Sequence, residues 1–254
     1  MAALLEANGV SRSFGGLLVT RDVSFKLESG DRVALIGPNG AGKTTLVNLI
    51  TGDIRPSRGR FFMGGEEITK LSIPDRVRRG LVRSFQTTRL FTSLTVADNV
   101  ALAIMQRKRI TLRLFSSSTE LPEVRREWTD ILVRLGLDHL AYRRVVELAY
   151  GQQRLIELAI ALALRPKVLL LDEPAAGVPH DDAPRIVEAI NRLPADIAVL
   201  LIEHDMDLVF KFASRVLVLS AGRLIFQGLP QDVVADPEVR RAYLGSYADA
   251  RTTT

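Results

Sequence analysis

The sequence predicts an α/β fold: a mixed central sheet with an antiparallel β subdomain and a helical subdomain. Three observations predict it. After residue 168, apolar strands alternate with amphipathic helices, the rhythm of a parallel sheet with helices on its faces. Before residue 36, short alternating stretches are separated by Gly-rich turns. Between about 87 and 150 the pattern is helical and holds no clear strand.

In chain order, residues 4–36 contain stretches such as Val23-Ser24-Phe25-Lys26-Leu27, which read as antiparallel strands. Arg32-Val33-Ala34-Leu35-Ile36 closes this region as a buried strand. It runs into Gly37-Pro38-Asn39-Gly40-Ala41-Gly42-Lys43-Thr44, which fits the phosphate-binding pattern G-x-x-x-x-G-K-[ST]. The glycines let main-chain N–H groups face an anion without side chains in the way. Lys43 offers a point charge to β- and γ-phosphates, and Thr44 offers a hydroxyl to Mg²⁺. A helix over about 44–51 adds its positive dipole end.

Arg60-Phe61-Phe62-Met63 reads as a strand, Gly64-Gly65 as a turn, and Leu81-Val82-Arg83-Ser84 as a strand leading to Phe85-Gln86. Residues 96–135 are mostly helical, and the basic, then Ser-rich stretch 106–123 looks like an exposed insertion. Helical periodicity resumes over 152–160. Strands follow at 168–171, 198–202 and 215–219, with helices near 181–192 and 205–212 between them. Residues 223–227 add a hairpin strand, and short helices end the chain. The helical block thus interrupts an α/β core, whose two parts must meet in space.

Composition bounds the function. The chain has 254 residues, 47% hydrophobic and 25% charged, ordinary values for a globular protein. Its net charge of +5 would suit nucleic acid or an anionic membrane face. No block of five like charges appears, so a solvated Arg-rich surface is the simpler reading. The absence of cysteine excludes disulfides and thiolate metal sites and fits a cytoplasmic protein. The N-terminus lacks the basic start and long apolar stretch of a signal peptide. No apolar run is long enough to span a bilayer; the longest, 158–164, stops at Arg165-Pro166. A soluble protein is expected.

The remaining chemistry lies at strand ends. Val168-Leu169-Leu170-Leu171-Asp172-Glu173 is an apolar strand ending in two carboxylates. Asp172 suits the Mg²⁺ shell. Glu173 can orient or deprotonate an attacking water, a role worth typically ~10²–10⁴-fold. Gln86 could ligate Mg²⁺ or the water through its amide and report nucleotide state to the helical block. His204, in Ile202-Glu203-His204-Asp205, follows a strand where α/β sheets place ligands and could donate a hydrogen bond to a γ-phosphate. His139 and His180 read as structural. Leu148-Ala149-Tyr150-Gly151-Gln152-Gln153 opens a long helix whose N–H groups could meet an anion.

In this order the pieces resemble the ATP-binding cassette family, the ATPase subunits of ABC transporters, over nearly the whole chain. By that resemblance the fold is the ABC-cassette variety of the P-loop NTPase fold. Walker A is Gly37 through Thr45, taking in Asn39, Gly40, Ala41, Gly42, Lys43, Thr44 and Thr45. The Q-loop glutamine is Gln86. The signature runs from Leu148 through Tyr150, Gly151 and Gln152. Walker B ends at Asp172 and Glu173, the D-loop spans 175–179, and the switch histidine is His204. Phe14 falls where the family stacks an aromatic on adenine.

The resemblance implies one ABC ATPase domain: a RecA-like core with β subdomain (about 1–86 and 151–228), a helical subdomain (about 87–150) and a helical tail (about 229–254). It implies ATP and Mg²⁺ as ligands. It also implies a composite site in which the signature of one subunit covers ATP held by Walker A of another. A second ATPase subunit is therefore expected, in a homodimer or a heterodimer. Gln86 and the helical block would pass the ATP-driven change to integral-membrane permease subunits.

Two departures stand out. Ala149 replaces the usual signature Ser, and Pro179 replaces the usual D-loop Asp or Asn and lacks an N–H donor. Both bear on hydrolysis rate; hydrolysis itself is still expected.

Tyr150 before Gly151-Gln152-Gln153 looks like the branch serving branched-chain amino acid importers. So do the tail Asp236-Pro237-Glu238-Val239-Arg240-Arg241-Ala242-Tyr243-Leu244-Gly245, the insertion after Gln106 and the stretch Leu94-Thr95-Val96-Ala97-Asp98-Asn99-Val100. The implied role is ATP-powered uptake of branched-chain amino acids or similar small polar solutes. An external solute-binding protein would complete the system, and the chain would lie peripherally on the cytoplasmic face of the inner membrane. Alternatives are a lipopolysaccharide-export-type ABC ATPase, which shares the Tyr-Leu-Gly style of tail, and a weakly hydrolysing nucleotide-binding partner subunit. One cassette, no sustained heptads and no cysteine argue against the DNA- and ribosome-acting relatives, so no nucleic-acid partner is expected.

Overall fold

The computed structural model describes residues 3–84, 90–110, 121–179 and 183–244. The chain divides into two compact units. One holds residues 1–81, 167–173 and 195–254; the other holds 82–166 and 174–194.

The first unit opens with β1 (Leu5–Phe14) and β2 (Leu17–Leu27), joined at Gly15-Gly16 and paired antiparallel, Leu5 opposite Leu27 and Ala7 opposite Phe25. Val23-Ser24-Phe25-Lys26-Leu27 alternates buried and exposed residue by residue, as period-two patterning requires of a strand with one wet face. β3 (Arg32–Ile36) follows, then α1 (Lys43–Thr51), β4 (Arg58–Met63), the two-residue β5 (Glu66–Glu67) and α2 (Ile73–Arg79). β1, β2, β4 and β5 form an antiparallel sheet in the order β2-β1-β4-β5.

β6 (Leu81–Arg83) lies at the point where the chain leaves this unit. Return strands are β7 (Val168–Asp172), β8 (Ala198–Ile202), β9 (Arg215–Ser220) and β10 (Arg223–Gly228), and the second sheet runs β10-β9-β3-β8-β7-β6. The strand at 32–36 therefore does not belong with the antiparallel strands before it. It pairs parallel with β8 (Val33 opposite Leu200) and with β9 (Ala34 opposite Val216). Its sequence carried the reason: Val33-Ala34-Leu35-Ile36 does not alternate and is buried on both faces, as are all five residues of β7 and of β8.

α1 is sunk into this unit's core. Its Leu46, Val47, Leu49 and Ile50 join Leu5, Phe25 and Phe61 of one sheet and Leu35, Leu170, Leu200 and Leu217 of the other in one apolar cluster. Each such side chain contributes about 1.5–3 kcal/mol by leaving water, so the helix that opens at the phosphate loop is held from both sides. α7 (Met206–Phe212) is capped by Asp205, whose carboxylate accepts from the main chain of Asp207 and Leu208. The tail adds α8 (Pro230–Val233), α9 (Pro237–Val239) and a π-helical turn over Arg240–Leu244.

The second unit is largely helical. α3 (Val96–Lys108) starts at a capping box, Thr95 with Asp98, and α4 (Pro122–Leu135) ends at Gly136. Both pack on α5 (Tyr150–Ala163), and α5 also meets α6 (Ala183–Asn191). Val100, Ile104, Val124, Trp128, Leu132 and Ile156 fill the interior, with Tyr142 edge-on to Trp128 at 6.1 Å. Glu127 ties Arg107 and Arg165 together. Of the expected insertion, residues 111–120 lie outside the described residues, and the flanking residues end α3 and begin α4. Among the described residues no helix is long and apolar enough to cross a membrane.

Candidate functional site

The first unit assembles the phosphate loop between β3 and α1. Gly37 has φ 152°, and a Cβ there would come within 2.0 Å of the Leu219 carbonyl oxygen. Gly42 has φ 102°, and its Cβ would meet the Val19 carbonyl at 2.9 Å. Only glycine fits either position. Gly42 is the N-cap of α1 and supplies no side-chain acceptor to the first-turn N–H groups. These donors therefore suit an anion.

Lys43 folds back over the loop, donating from Nζ to the carbonyls of Gly37 at 2.7 Å and Pro38 at 3.1 Å. Partial burial lowers its pKa, while the charges of Glu173 and Asp172 pull it back up. Those two carboxylates are thus the anions its ammonium feels in the folded chain. Asn39, Gly40 and Thr44 are exposed, Ala41 is buried, and Thr45 is half-buried.

Asp172 ends β7 in a buried position, paired in register with Ile202. Glu173 leaves the sheet with φ 48°, an uncommon value for a residue with a Cβ, and donates its N–H to the Ile202 carbonyl at 2.9 Å. That turn directs its carboxylate beside β8. His204 Nδ1 lies 3.8 Å from Glu173 Oε1 and 3.8 Å from Glu203 Oε2. Glu203 also accepts the His204 main-chain N–H at 3.1 Å. Sequence reasoning missed Glu203, since an acid in Ile202-Glu203-His204-Asp205 reads as exposed, yet it is 3% exposed. Its one visible signal is the place directly after a fully apolar strand.

Phe14 closes β1 and keeps 44% of its surface exposed. The Arg12 guanidinium stands 4.6 Å from the ring centroid, on the same strand face two residues back. The exposed ring surface can stack on a planar base.

Residues of the expected signature lie in the second unit. Ala149 is the N-cap of α5 and has no acceptor of its own; Gln152 Oε1 accepts the Ala149 N–H at 3.1 Å, which is half of a capping box. Gly151 is buried, and Tyr150 is half exposed beneath Arg154 at 5.0 Å. Tyr150 Oη reaches the Ala176 carbonyl at 3.5 Å, beside a turn whose Gly177 has φ 73°. Gln86 and His180 lie outside the described residues, and His139 sits exposed in a 3₁₀ turn.

Among known proteins, the model of the family described as "ABC transporter" matches residues 20–176. A second model, "Branched-chain amino acid ATP-binding cassette transporter", matches residues 223–249. The chain is 37% identical over 251 residues to the high-affinity branched-chain amino acid transport ATP-binding protein BraF of Pseudomonas aeruginosa, covering 95% of this chain and 98% of that protein. It is 39% identical to the LivG protein of Salmonella typhimurium, of the same description, with the same coverage. It is 37% identical over 246 residues to the lipopolysaccharide export system ATP-binding protein LptB of Acidithiobacillus ferridurans, covering 96% and 98%. Of solved structures, an ADP conformation of an ATP-binding cassette of an ABC transporter superposes with a TM-score of 0.82 at 30% identity, covering 96% of this chain and all of that one. A nucleotide-free ABC transporter cassette gives 0.81 at 30% identity, covering 95% and 99%.

Proposed function

Since the chain belongs to the ABC transporter family of nucleotide-binding ATPase subunits, we propose that it hydrolyses ATP to power uptake of branched-chain amino acids or similar small polar solutes through a membrane permease. The observation that carries the reading is the set in one unit of Lys43, at the start of α1, with Asp172, Glu173 and His204 at the ends of the adjacent strands β7 and β8. The cargo class is supported by the match over 223–249 and by the BraF and LivG relatives.

The roles follow from the chemistry of each group. The exposed face of Phe14 stacks on adenine. Main-chain N–H groups from Asn39 to Thr45 and the α1 dipole cradle the phosphates. Lys43 gives up its loop carbonyls for β- and γ-phosphate oxygens. Thr44 Oγ1 and an Asp172 carboxylate oxygen are hard donors of the kind Mg²⁺ takes one or two of, alongside water and phosphate, and Gln86 adds an amide oxygen. The ion, when bound, neutralises charge that develops on the transferring phosphoryl group. Glu173 accepts a proton from the attacking water or orients it. His204 donates a hydrogen bond to the terminal phosphate.

Tyr150, Gly151 and Gln152 of a second copy of this chain, or the signature of a different ATPase subunit, complete the site. The organisation is one ABC domain, with a RecA-like core and β subdomain, a helical subdomain and a helical tail. It works peripherally at the cytoplasmic face of the inner membrane, with an external solute-binding protein upstream.

The test is uptake of radiolabelled leucine in cells deleted for this chain. Wild type should restore uptake and Lys43→Ala should not. Unchanged leucine uptake together with a lipopolysaccharide-export defect in the deletion would overturn the cargo reading and favour the export type. A weakly hydrolysing partner subunit is a second reading, favoured by Ala149, an N-cap with no hydroxyl to offer a phosphate. Turnover of the purified chain alone and with its partner ATPase separates the two.

A further inference from the structure

Among the described residues two acids are buried, Asp172 and Glu203. Asp172 has a place in the nucleotide site; Glu203 has none so far. One Glu203 oxygen, Oε2, accepts the His204 main-chain N–H and faces Nδ1 of the same histidine. The other, Oε1, is buried and has no hydrogen-bond partner among the described residues. A half-satisfied buried carboxylate costs stability. Burial pushes its pKa above the ordinary glutamate value of 4.5, and the Glu173 charge adds to that. The His204 ring and the main-chain N–H groups of His204 and Asp205 pull the other way. A Leu or Met side chain would fill this space with no charge to desolvate and no buried polar atom of its own left bare. The costly group sits where it touches a residue of the nucleotide site, a pattern that marks functional groups.

Geometry says what it touches. The Nδ1 edge of His204 faces Glu173 and Glu203 oxygens, each 3.8 Å away and within reach of a small turn of the ring. Its side chain is otherwise 67% exposed, so little else packs the ring. The main-chain bond to Glu203 fixes where the histidine leaves β8.

We propose that Glu203 is a positioning residue for His204, clasping its main-chain N–H and Nδ1 edge so that Nε2 is presented to the terminal phosphate of bound ATP. The proposal rests on the reading of His204 as a phosphate contact. Glu203 itself touches no reacting atom.

A double-mutant cycle tests it, with Glu203→Gln, His204→Ala and the pair. The readouts are single-turnover hydrolysis of pre-bound ATP by the purified chain, ATP affinity and melting temperature. Glu203→Gln should slow hydrolysis by about 10–100-fold, taking as the scale the loss that follows when a partner orienting a metal-bound histidine is removed. ATP affinity should stay within about threefold, and melting temperature should hold or rise. His204→Ala should slow hydrolysis as well, and adding Glu203→Gln to it should change nothing further. Glu203→Met, which removes both oxygens, should be as slow and at least as stable.

Wild-type hydrolysis in Glu203→Gln overturns the inference. So does a slowing that persists in full on the His204→Ala background, since Glu203 would then act elsewhere. Joint loss of melting temperature, affinity and rate in both Glu203 variants would make the residue merely structural. Wild-type hydrolysis in His204→Ala removes the reading of His204 itself, whatever the Glu203 variants do.

Discussion

Arg76 is 1% exposed, although it sits in the run Arg76-Val77-Arg78-Arg79 that any reading of composition assigns to the surface. Its guanidinium closes the C-terminal end of α1. One terminal nitrogen donates to the carbonyls of Leu49 and Ile50, the other to Thr69 at 2.9 Å, and Nε to Leu71 at 3.4 Å. The plane stands over Phe61, 5.9 Å from the ring centroid. Burial lowers its pKa to about 10, partly opposed by the Asp53 charge, so it stays charged at neutral pH. Gly52 leaves room for it, since a Cβ there would lie 2.8 Å from Arg76 Nε.

Arg76→Met keeps most of the length and loses every donor. Hydrogen bonds from a charged group are worth about 1.5–3 kcal/mol each, and a buried carbonyl left bare costs about 1–3 kcal/mol. Relief from desolvating a cation offsets part of this. The net loss should be about 3 kcal/mol, a melting shift of roughly 6–12 °C for a chain of this size. Urea unfolding followed by circular dichroism reads it. Saturating ATP should recover part of the loss by binding the native state. A change below about 1 kcal/mol would refute the view that this cap holds the phosphate-loop helix.

Lys43→Ala should abolish ATP binding, measured by calorimetry; unchanged affinity would remove the phosphate-loop assignment. Ala149→Ser places a hydroxyl at the α5 N-cap, so the isolated chain should gain about 0.5–1 kcal/mol in melting experiments. It should also tighten the ATP-bound dimer, or raise turnover, if the missing hydroxyl weakens the composite site. For Glu203 the native carboxyl binds its proton more tightly than the unfolded one. Stability is therefore complete below the ordinary glutamate value and is lost as pH rises from there through the raised native pKa. Glu203→Gln should flatten that part of the stability–pH curve, and an unchanged slope would mean the group is not held as described.

How far the sequence reveals this molecule depends on what each residue must satisfy. Gly37 and Gly42 were legible because a main-chain oxygen stands where a Cβ would go. β7 and β8 were legible because strands buried on both faces read as unbroken apolar runs. The strand at 32–36 carried the same signal, but its position after antiparallel strands suggested the wrong partners. α2 escaped notice since seven residues give too little periodicity, although Ser72, Pro74 and the basic last turn mark both its ends. Arg76 and Glu203 were illegible because charged residues are exposed by default; their burial depends on carbonyls and a histidine supplied by distant parts of the chain.

The most direct test is Glu173→Gln, assayed for ATP binding, hydrolysis and mass in solution with and without Mg-ATP. ATP should still bind with near wild-type affinity, hydrolysis should fall by at least ~10²-fold, and the trapped chain should pair with a second ATPase subunit, another copy or a different partner. Hydrolysis at the wild-type rate would contradict the proposed function, since Glu173 would then not be the group that acts on the attacking water.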